Sequence, residues 1–137
     1  MENAGFYFDA ESCIACHTCQ IACKGAHNLP VGTNYRKVRS FCTGSGFTPR
    51  IYNVSLSLEG CDFCKELQKM GELPACVSSC PQRALEFGNV EELKKKHAGE
   101  PLADHCAAIS NDEMANRNFV MRIKDCMMEE DYDEYLI

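Results

Sequence analysis

Eight of the 11 cysteines in this 137-residue chain fall into two blocks, and their spacing restricts the folds that the chain can adopt. The first block has two, two and three residues between its cysteines, which are Cys13, Cys16, Cys19 and Cys23. The second block has two, eleven and three residues between its cysteines, which are Cys61, Cys64, Cys76 and Cys80. Both blocks end in Cys-x3-Cys and form a loose internal repeat.

This spacing predicts two [4Fe–4S] clusters that exchange one ligand. Three close thiolates can wrap one face of an iron–sulfur cubane, and in two-cluster ferredoxins the fourth cysteine of the run binds the other cluster. Cluster one is therefore expected on Cys13, Cys16, Cys19 and Cys80, and cluster two on Cys61, Cys64, Cys76 and Cys23. Because each site needs both blocks, we expect metal binding and folding to be coupled.

Two other kinds of cysteine-rich site explain the spacing less well. A zinc site accounts for the Cys-x2-Cys pairs but not for the tight triplet of the first block or the two Cys-x3-Cys endings. A disulfide framework needs an oxidising compartment and usually an even number of cysteines, whereas this chain has 11. Cys42, Cys106 and Cys126 lack motif spacing, so we expect them to be packing residues. His17 could tune a cluster, although a solvent-facing side chain is the simpler expectation.

Charge and hydropathy exclude several classes of protein. The formal charge is −6, and the basic runs Arg36–Arg39 and Lys94–Lys96 are short, so we expect solvated faces and no nucleic-acid partner. The sequence contains no run of about 18 apolar residues, so we expect no membrane span. Met1–Phe8 lacks the pattern of a signal peptide, so we expect a cytoplasmic protein as synthesised. Export together with a partner that carries a signal would still be compatible with this.

The periodicity between the motifs predicts a small α+β fold with a ferredoxin-like core. Strands are expected at Phe6–Phe8, Tyr35–Phe41, Ile51–Leu58, Ala84–Phe87 and Phe119–Ile123. The first and fourth of these should pair, because they are similar in character. The second half of the first block should form a short helix. A second helix should start at Asn89, which is a suitable N-cap, and end before Gly99.

The same pattern suggests a division of the chain. Residues 1–90 are expected to form the two-cluster domain, with residues 24–60 inserted between the blocks as strands and loops. Residues 91–137 are expected to form a helix and a C-terminal docking extension. Within that extension the apolar side chains could anchor a partner while the acidic ones form a rim; these apolar residues are Met127, Met128, Tyr132, Tyr135 and Leu136.

The residues in and around the blocks also resemble a known family. Cys13–Lys24, His27–Pro30 and Tyr35–Arg39 look like the opening of the iron–sulfur electron-transfer subunits of the DMSO reductase family. Cys61–Cys64 and Pro74–Gly88 look like the last cysteine motif of that family. The resemblance implies a molybdenum or tungsten pterin catalytic subunit as partner, in some cases with a membrane subunit that oxidises quinol.

The chain departs from this family in the number of its cysteine motifs. Its members usually carry four cysteine motifs and four clusters, whereas the two middle motifs are absent here between Leu58 and Cys61. Because the missing motifs pair with each other, the remaining pair should be intact. The loss of two clusters weakens the expectation of direct contact with a membrane subunit.

These observations favour electron transfer over catalysis. No nucleophile set, phosphate-binding glycine loop or paired-carboxylate motif is present in the sequence, so we expect no independent catalytic site. The extra residues between and beyond the blocks favour a subunit of a larger oxidoreductase. A free-standing ferredoxin is the alternative, and a redox-sensing or maturation protein is an alternative of another class.

Overall fold

The structure is a computed structural model, and the residues that it describes are 4–43, 50–57, 61–103, 106, 119–128 and 132–135. This part of the chain forms two small β-sheets and a few short helices. The predicted α+β class is confirmed. In the described part, no helix combines the length and the apolar character that a membrane crossing requires.

The first sheet joins the two ends of the cysteine-containing segment. Its strands, in spatial order, are β4 (Leu85–Asn89), β1 (Ala4–Asp9), β6 (Phe119–Arg122) and β5 (Leu102–Ala103). Strand β1 is antiparallel to β4, with Phe6 opposite Phe87, and this confirms the predicted pairing. It is parallel to β6. The pairing of β1 with β4 brings the residues just before Cys13 next to the residues just after Cys80.

The second sheet is built mainly from the segment between the blocks. Its strands, in spatial order, are β3 (Arg50–Ser57), β2 (Arg36–Thr43) and β7 (Tyr132–Tyr135). Strands β2 and β3 pair antiparallel, from Arg36 opposite Ser57 to Thr43 opposite Arg50. Both strands predicted for this segment are therefore confirmed.

Four short α-helices lie around the sheets: α1 (Thr18–Ala26), α2 (Lys65–Lys69), α3 (Ala75–Ser79) and α4 (Val90–Lys96). A 3-10 helix follows at Asp125–Met128. Helix α1 contains the end of the first block and confirms the predicted short helix, and it packs against α3, which contains Cys76. The end of one cysteine block is thus held beside the middle of the other.

The two faces of β1 belong to different parts of the interior, as the alternation of a strand requires. Phe6 and Phe8 point into the main core, which also includes Cys19 and Cys76. Tyr7 points to the other face, where it packs with Leu93 and Val120. The main hydrophobic core therefore forms part of the walls around the cysteines.

The C-terminal segment packs into the protein, and the expected role of Met127 as a partner anchor is wrong. Met127 is fully buried in the main core. Strand β7 pairs with β2, and Glu134 accepts two hydrogen bonds from Arg39, at 2.8 and 2.7 Å. The physical reason is that an open edge of β2 would leave backbone groups unpaired.

Other residues of the expected extension differ in their exposure. Met128 and Tyr132 are exposed. Leu136 and the acidic residues 129–131 lie outside the described residues. The division into residues 1–90 and 91–137 stays a prediction, although β6 and β7 each pair with a strand of the first part.

Helix α4 begins as predicted. The side-chain oxygen of Asn89 accepts hydrogen bonds from the backbone N–H groups of Glu91, at 2.9 Å, and Glu92, at 3.2 Å. At the other end, the imidazole of His97 bridges Glu86 and Glu100, at 2.7 and 2.8 Å. The helix is therefore fixed at both ends against the edge of the first sheet.

The cap can be tested by substitution. Asn89→Ala leaves two N–H groups of α4 without a side-chain acceptor and should destabilise the helix by about 1 kcal/mol. Local opening would then be roughly five times more frequent, which hydrogen exchange of the α4 amides measures. Asn89→Ser should retain most of the protection because serine also caps. Equal exchange in all three proteins would mean that the packing of Leu93, and not the cap, holds the helix.

Candidate metal centre

The first cysteine block forms a tight loop that leads into α1. Cys13 and Cys16 lie in the loop, while Cys19 and Cys23 lie in the helix. Two loop residues adopt left-handed backbone conformations, with φ of 57° at Ala15 and 63° at His17. Such conformations are unfavourable for residues other than glycine and are concentrated at functional sites, where the surrounding structure enforces them.

The fourth thiol beside this loop comes from the second block. A small cavity, partly open to solvent, is lined by three cysteines of the first block together with Cys80. The remaining wall is largely apolar and includes Phe8, Val38 and Leu85. The structure therefore brings together all four residues predicted for cluster one, which are Cys13, Cys16, Cys19 and Cys80.

His17 also lines this cavity, and its predicted solvent-facing orientation is wrong. Its Nε2 atom is buried and, within the described residues, has no hydrogen-bond partner. A buried polar atom without a partner is unfavourable in water-free surroundings. Its position therefore suits a site that holds a further polar group.

The second set of thiols lies beside the first. Cys23 on α1 is close enough to Cys61, Cys64 and Cys76 for the charges of these thiols to influence its pKa. Cys64 takes a left-handed conformation with φ of 55°, as does Phe63 before it, so this loop is as constrained as the first. The structure therefore also brings together the four residues predicted for cluster two.

Burial opposes ionisation of most of these thiols. It raises the pKa of Cys13 to about 11 and that of Cys23 to about 12, and neighbouring cysteines in the same set add to both shifts. Burial also raises the pKa values of Cys64 and Cys76. The exposed Cys16 differs, because hydrogen bonds from Thr18 lower its pKa. Thiols of this kind become thiolates when a cationic group such as iron compensates their charge.

The donor set fits a [4Fe–4S] cluster better than its alternatives. All 11 cysteines are among the described residues and none forms a disulfide bond, which does not support a disulfide framework. A zinc ion needs its ligands around one point, and among the described residues no three His, Cys, Asp or Glu side chains are arranged to hold a single metal ion. A cubane spreads four thiolates over four irons and does not need that arrangement. Each set would supply the four thiolates for one cluster.

Several groups contact the sulfur atoms directly. Hydrogen bonds to the sulfurs of a cluster influence its reduction potential. The contacts are Ser55 Oγ with Cys19 Sγ (3.2 Å), Thr18 Oγ1 with Cys16 Sγ (3.2 Å), the Ala84 N–H with Cys80 Sγ (3.3 Å) and His27 Nε2 with Cys64 Sγ (3.3 Å). The sequence analysis did not single out Ser55, which reaches the site from β3, and it included His27 only in the stretch His27–Pro30 that resembles the family.

Arg36 is a further residue whose position the sequence analysis missed. It was expected on a solvated face, but it is 1% exposed and lies next to the second set of thiols, where its charge lowers the pKa values of Cys23, Cys64 and Cys76 against the effect of burial. A signal was present in the strand pattern, since Arg36 shares the face of β2 with Val38 and Ser40, which are buried.

The other three cysteines lie elsewhere. Cys106 and Cys126 are each 3% exposed in the main core, near Tyr52. The Cys42 thiol lies on β2 near the carbonyl oxygen of Thr43, at 3.8 Å. None of the three lines the cavity of the first set.

Comparison with known proteins supports the type of cofactor. The family model described as "4Fe-4S dicluster domain" matches residues 24–90, a range that begins directly after the first block. The B subunit of the anaerobic dimethyl sulfoxide reductase of Haemophilus influenzae is 24% identical over 71% of this chain and 79% of its own length. The subunit of the same name from Escherichia coli is 34% identical over 70% of this chain and 37% of its own length.

A further relative matches with higher identity over a shorter range. The formate dehydrogenase iron-sulfur subunit of Wolinella succinogenes is 61% identical over 56% of this chain and 32% of its own length. The chain is thus similar to iron–sulfur and B subunits of these oxidoreductases. The description of the matching domain indicates two [4Fe–4S] clusters as its cofactors. The chain spans only about a third of the length of the Escherichia coli and Wolinella succinogenes relatives.

The exchange of ligands between the blocks stays a prediction that mutation can test. Cys23→Ser changes the first block but should damage cluster two, because Cys23 lies beside Cys61, Cys64 and Cys76. Cys80→Ser should damage cluster one by the same reasoning. Electron paramagnetic resonance of the reduced variants should show the loss of a different signal in each case.

Cys42→Ser is the matched control, because Cys42 is partly exposed and lies outside both sets. It should retain about eight irons per chain, the number that two cubanes contain. If each serine variant lost the cluster of its own block, the assignment of ligands would be wrong.

Proposed function

We propose that this chain is an electron-transfer subunit that carries single electrons to or from the catalytic subunit of a molybdopterin oxidoreductase. The observation that carries the proposal is the pair of neighbouring four-thiol sets, each completed by a cysteine of the other block. The names of the relatives, a dimethyl sulfoxide reductase B subunit and a formate dehydrogenase iron-sulfur subunit, support the class of enzyme. The chain itself would provide no catalytic residue.

The proposed ligands follow the two sets. Cluster one would be held by Cys13, Cys16, Cys19 and Cys80, and cluster two by Cys61, Cys64, Cys76 and Cys23. When bound, such clusters accept and release one electron at a time. The two sets lie on α1, α3 and the neighbouring loops, so a ferredoxin-like core would keep them side by side.

The protein residues have three tasks in this proposal. The cysteines hold the clusters, and the apolar wall of Phe8, Val38 and Leu85 limits the access of water to the first set. Hydrogen-bond donors such as Ser55 stabilise negative charge on sulfur. None of these tasks requires the chain to bind a substrate.

The exposed part of the first block is the proposed contact with the partner. Cys16 is exposed, and Ile14 and Ile21, which flank it in the sequence, have side chains that are 60% and 65% exposed. Exposed apolar residues around a redox centre suit a docking surface whose core excludes water. Electrons would then enter or leave the protein near Cys16.

The partner can be identified by purification from the native host. The chain should copurify with a larger subunit that contains molybdenum or tungsten pterin, as metal analysis of the complex would show. Ile21→Lys places a charge in the proposed docking surface and should weaken the complex at least tenfold, while the iron content stays unchanged.

Ile51→Lys is the control, since Ile51 is also about half exposed but lies on β3, away from the first cysteine loop in the sequence. It should bind the partner like the unmodified protein. A lone chain that reduces soluble acceptors at full rate without a pterin enzyme would contradict the proposal and favour a free-standing ferredoxin.

A further inference from the structure

Arg36 is a buried cation whose hydrogen-bond partners are all neutral. Its side chain starts from the first residue of β2 and is 1% exposed. The guanidinium donates hydrogen bonds to the carbonyl oxygen of Ser55 (3.2 Å), to the Ser55 hydroxyl (2.9 Å) and to the Ser57 hydroxyl (2.6 Å). It also lies over the ring of Phe6, at 4.6 Å from the ring centre.

These partners are neutral. Among the described residues, no carboxylate forms an ion pair with Arg36. A buried guanidinium without an opposite charge is strongly unfavourable, so buried cations are normally paired. The second set of thiols lies close to this cation, because the Phe6 ring under Arg36 packs against Phe63, the residue before Cys64, with 5.5 Å between the ring centres. The Arg36 charge accordingly acts on Cys64 and on Cys23 and Cys76 of the same set.

Arg36 is also connected to the first set through one hydroxyl group. Ser55 Oγ accepts the hydrogen bond from Arg36 at 2.9 Å and lies 3.2 Å from the sulfur of Cys19. Because a thiolate sulfur can only accept, the Ser55 hydroxyl would donate its proton to Cys19 while its oxygen accepts from Arg36. A hydrogen-bond donor that is itself polarised by a cation is a stronger donor.

We propose that Arg36 is the internal counter-charge of cluster two and, through Ser55, a positioning residue for the hydrogen bond to cluster one, so that this one side chain raises both reduction potentials. The proposal rests on the ligand sets of the proposed function. A cluster that gains an electron becomes more negative, and a fixed cation nearby stabilises this state more than the oxidised one. The interaction is strong because the site is buried.

Redox titration followed by electron paramagnetic resonance tests this directly. Arg36→Gln removes the charge but keeps an N–H donor, and it should lower the ratio of reduced to oxidised cluster two at least tenfold at a given potential. For a one-electron centre, tenfold corresponds to a potential about 59 mV lower. Ser55→Ala should lower the potential of cluster one and change cluster two less. The losses of signal in Cys23→Ser and Cys80→Ser assign the two signals.

Arg39→Gln is the matched control, because it removes one positive charge from the same strand at a more exposed position, where the partner is Glu134. It should leave both potentials unchanged.

If Arg36→Gln binds no clusters, Arg36→Lys decides between the explanations. Recovery of iron binding in Arg36→Lys supports a role of the positive charge, and failure to recover overturns the inference. Full iron content with unchanged potentials in Arg36→Gln would also overturn the inference, whereas an unmodified protein without clusters would refute the proposed function itself.

Discussion

The placement of one cysteine from each block beside the other block is the constraint on which the rest of the structure depends. Cys80 lies with the first three cysteines because β1 and β4 pair and hold the two ends of the motif region together. Cys23 lies near the second block because α1 packs against α3. The pairing of β1 with β4 thus positions Cys80, and the packing of α1 against α3 independently positions Cys23.

This arrangement explains how a small protein can bury so many polarisable groups. Burial makes isolated thiolates unfavourable, as the raised pKa values of Cys13 and Cys23 indicate. Iron would reverse that preference, and the free energy of metal binding then becomes folding free energy. Arg36 contributes a fixed positive charge at the same place, with the ring of Phe6 and two serines of β3 holding it. The clusters, the hydrophobic core and the Arg36 charge would therefore stabilise one another.

Local signals allowed part of this structure to be predicted from the sequence. The Asn89 cap, the strand at Phe6 and its pairing with the strand after Cys80 depend on neighbouring residues or on the geometry of the motif. The parallel contact of β6 with β1 and the pairing of β7 with β2 depend on contacts between residues far apart in the sequence, which no local pattern encodes. For the same reason, Met127 was expected at the surface but is buried. Arg36 was also expected at the surface, although its position on the same face of β2 as Val38 indicated that it is buried. The structure brings together the cysteines that the motifs predict as ligands, whereas groups such as Ser55 reach the site through contacts that the motifs do not contain.

Native mass spectrometry during anaerobic reconstitution tests the shared assembly of the two clusters most directly. When apoprotein receives iron and sulfide in amounts too small for full loading, we expect two main species, apoprotein and protein with about eight irons and eight sulfides. This follows because the first cluster to form fixes cysteines of both blocks and so assembles the second site. A dominant species with one cluster, or zinc bound without sulfide, would show that the two sites do not depend on each other in this way.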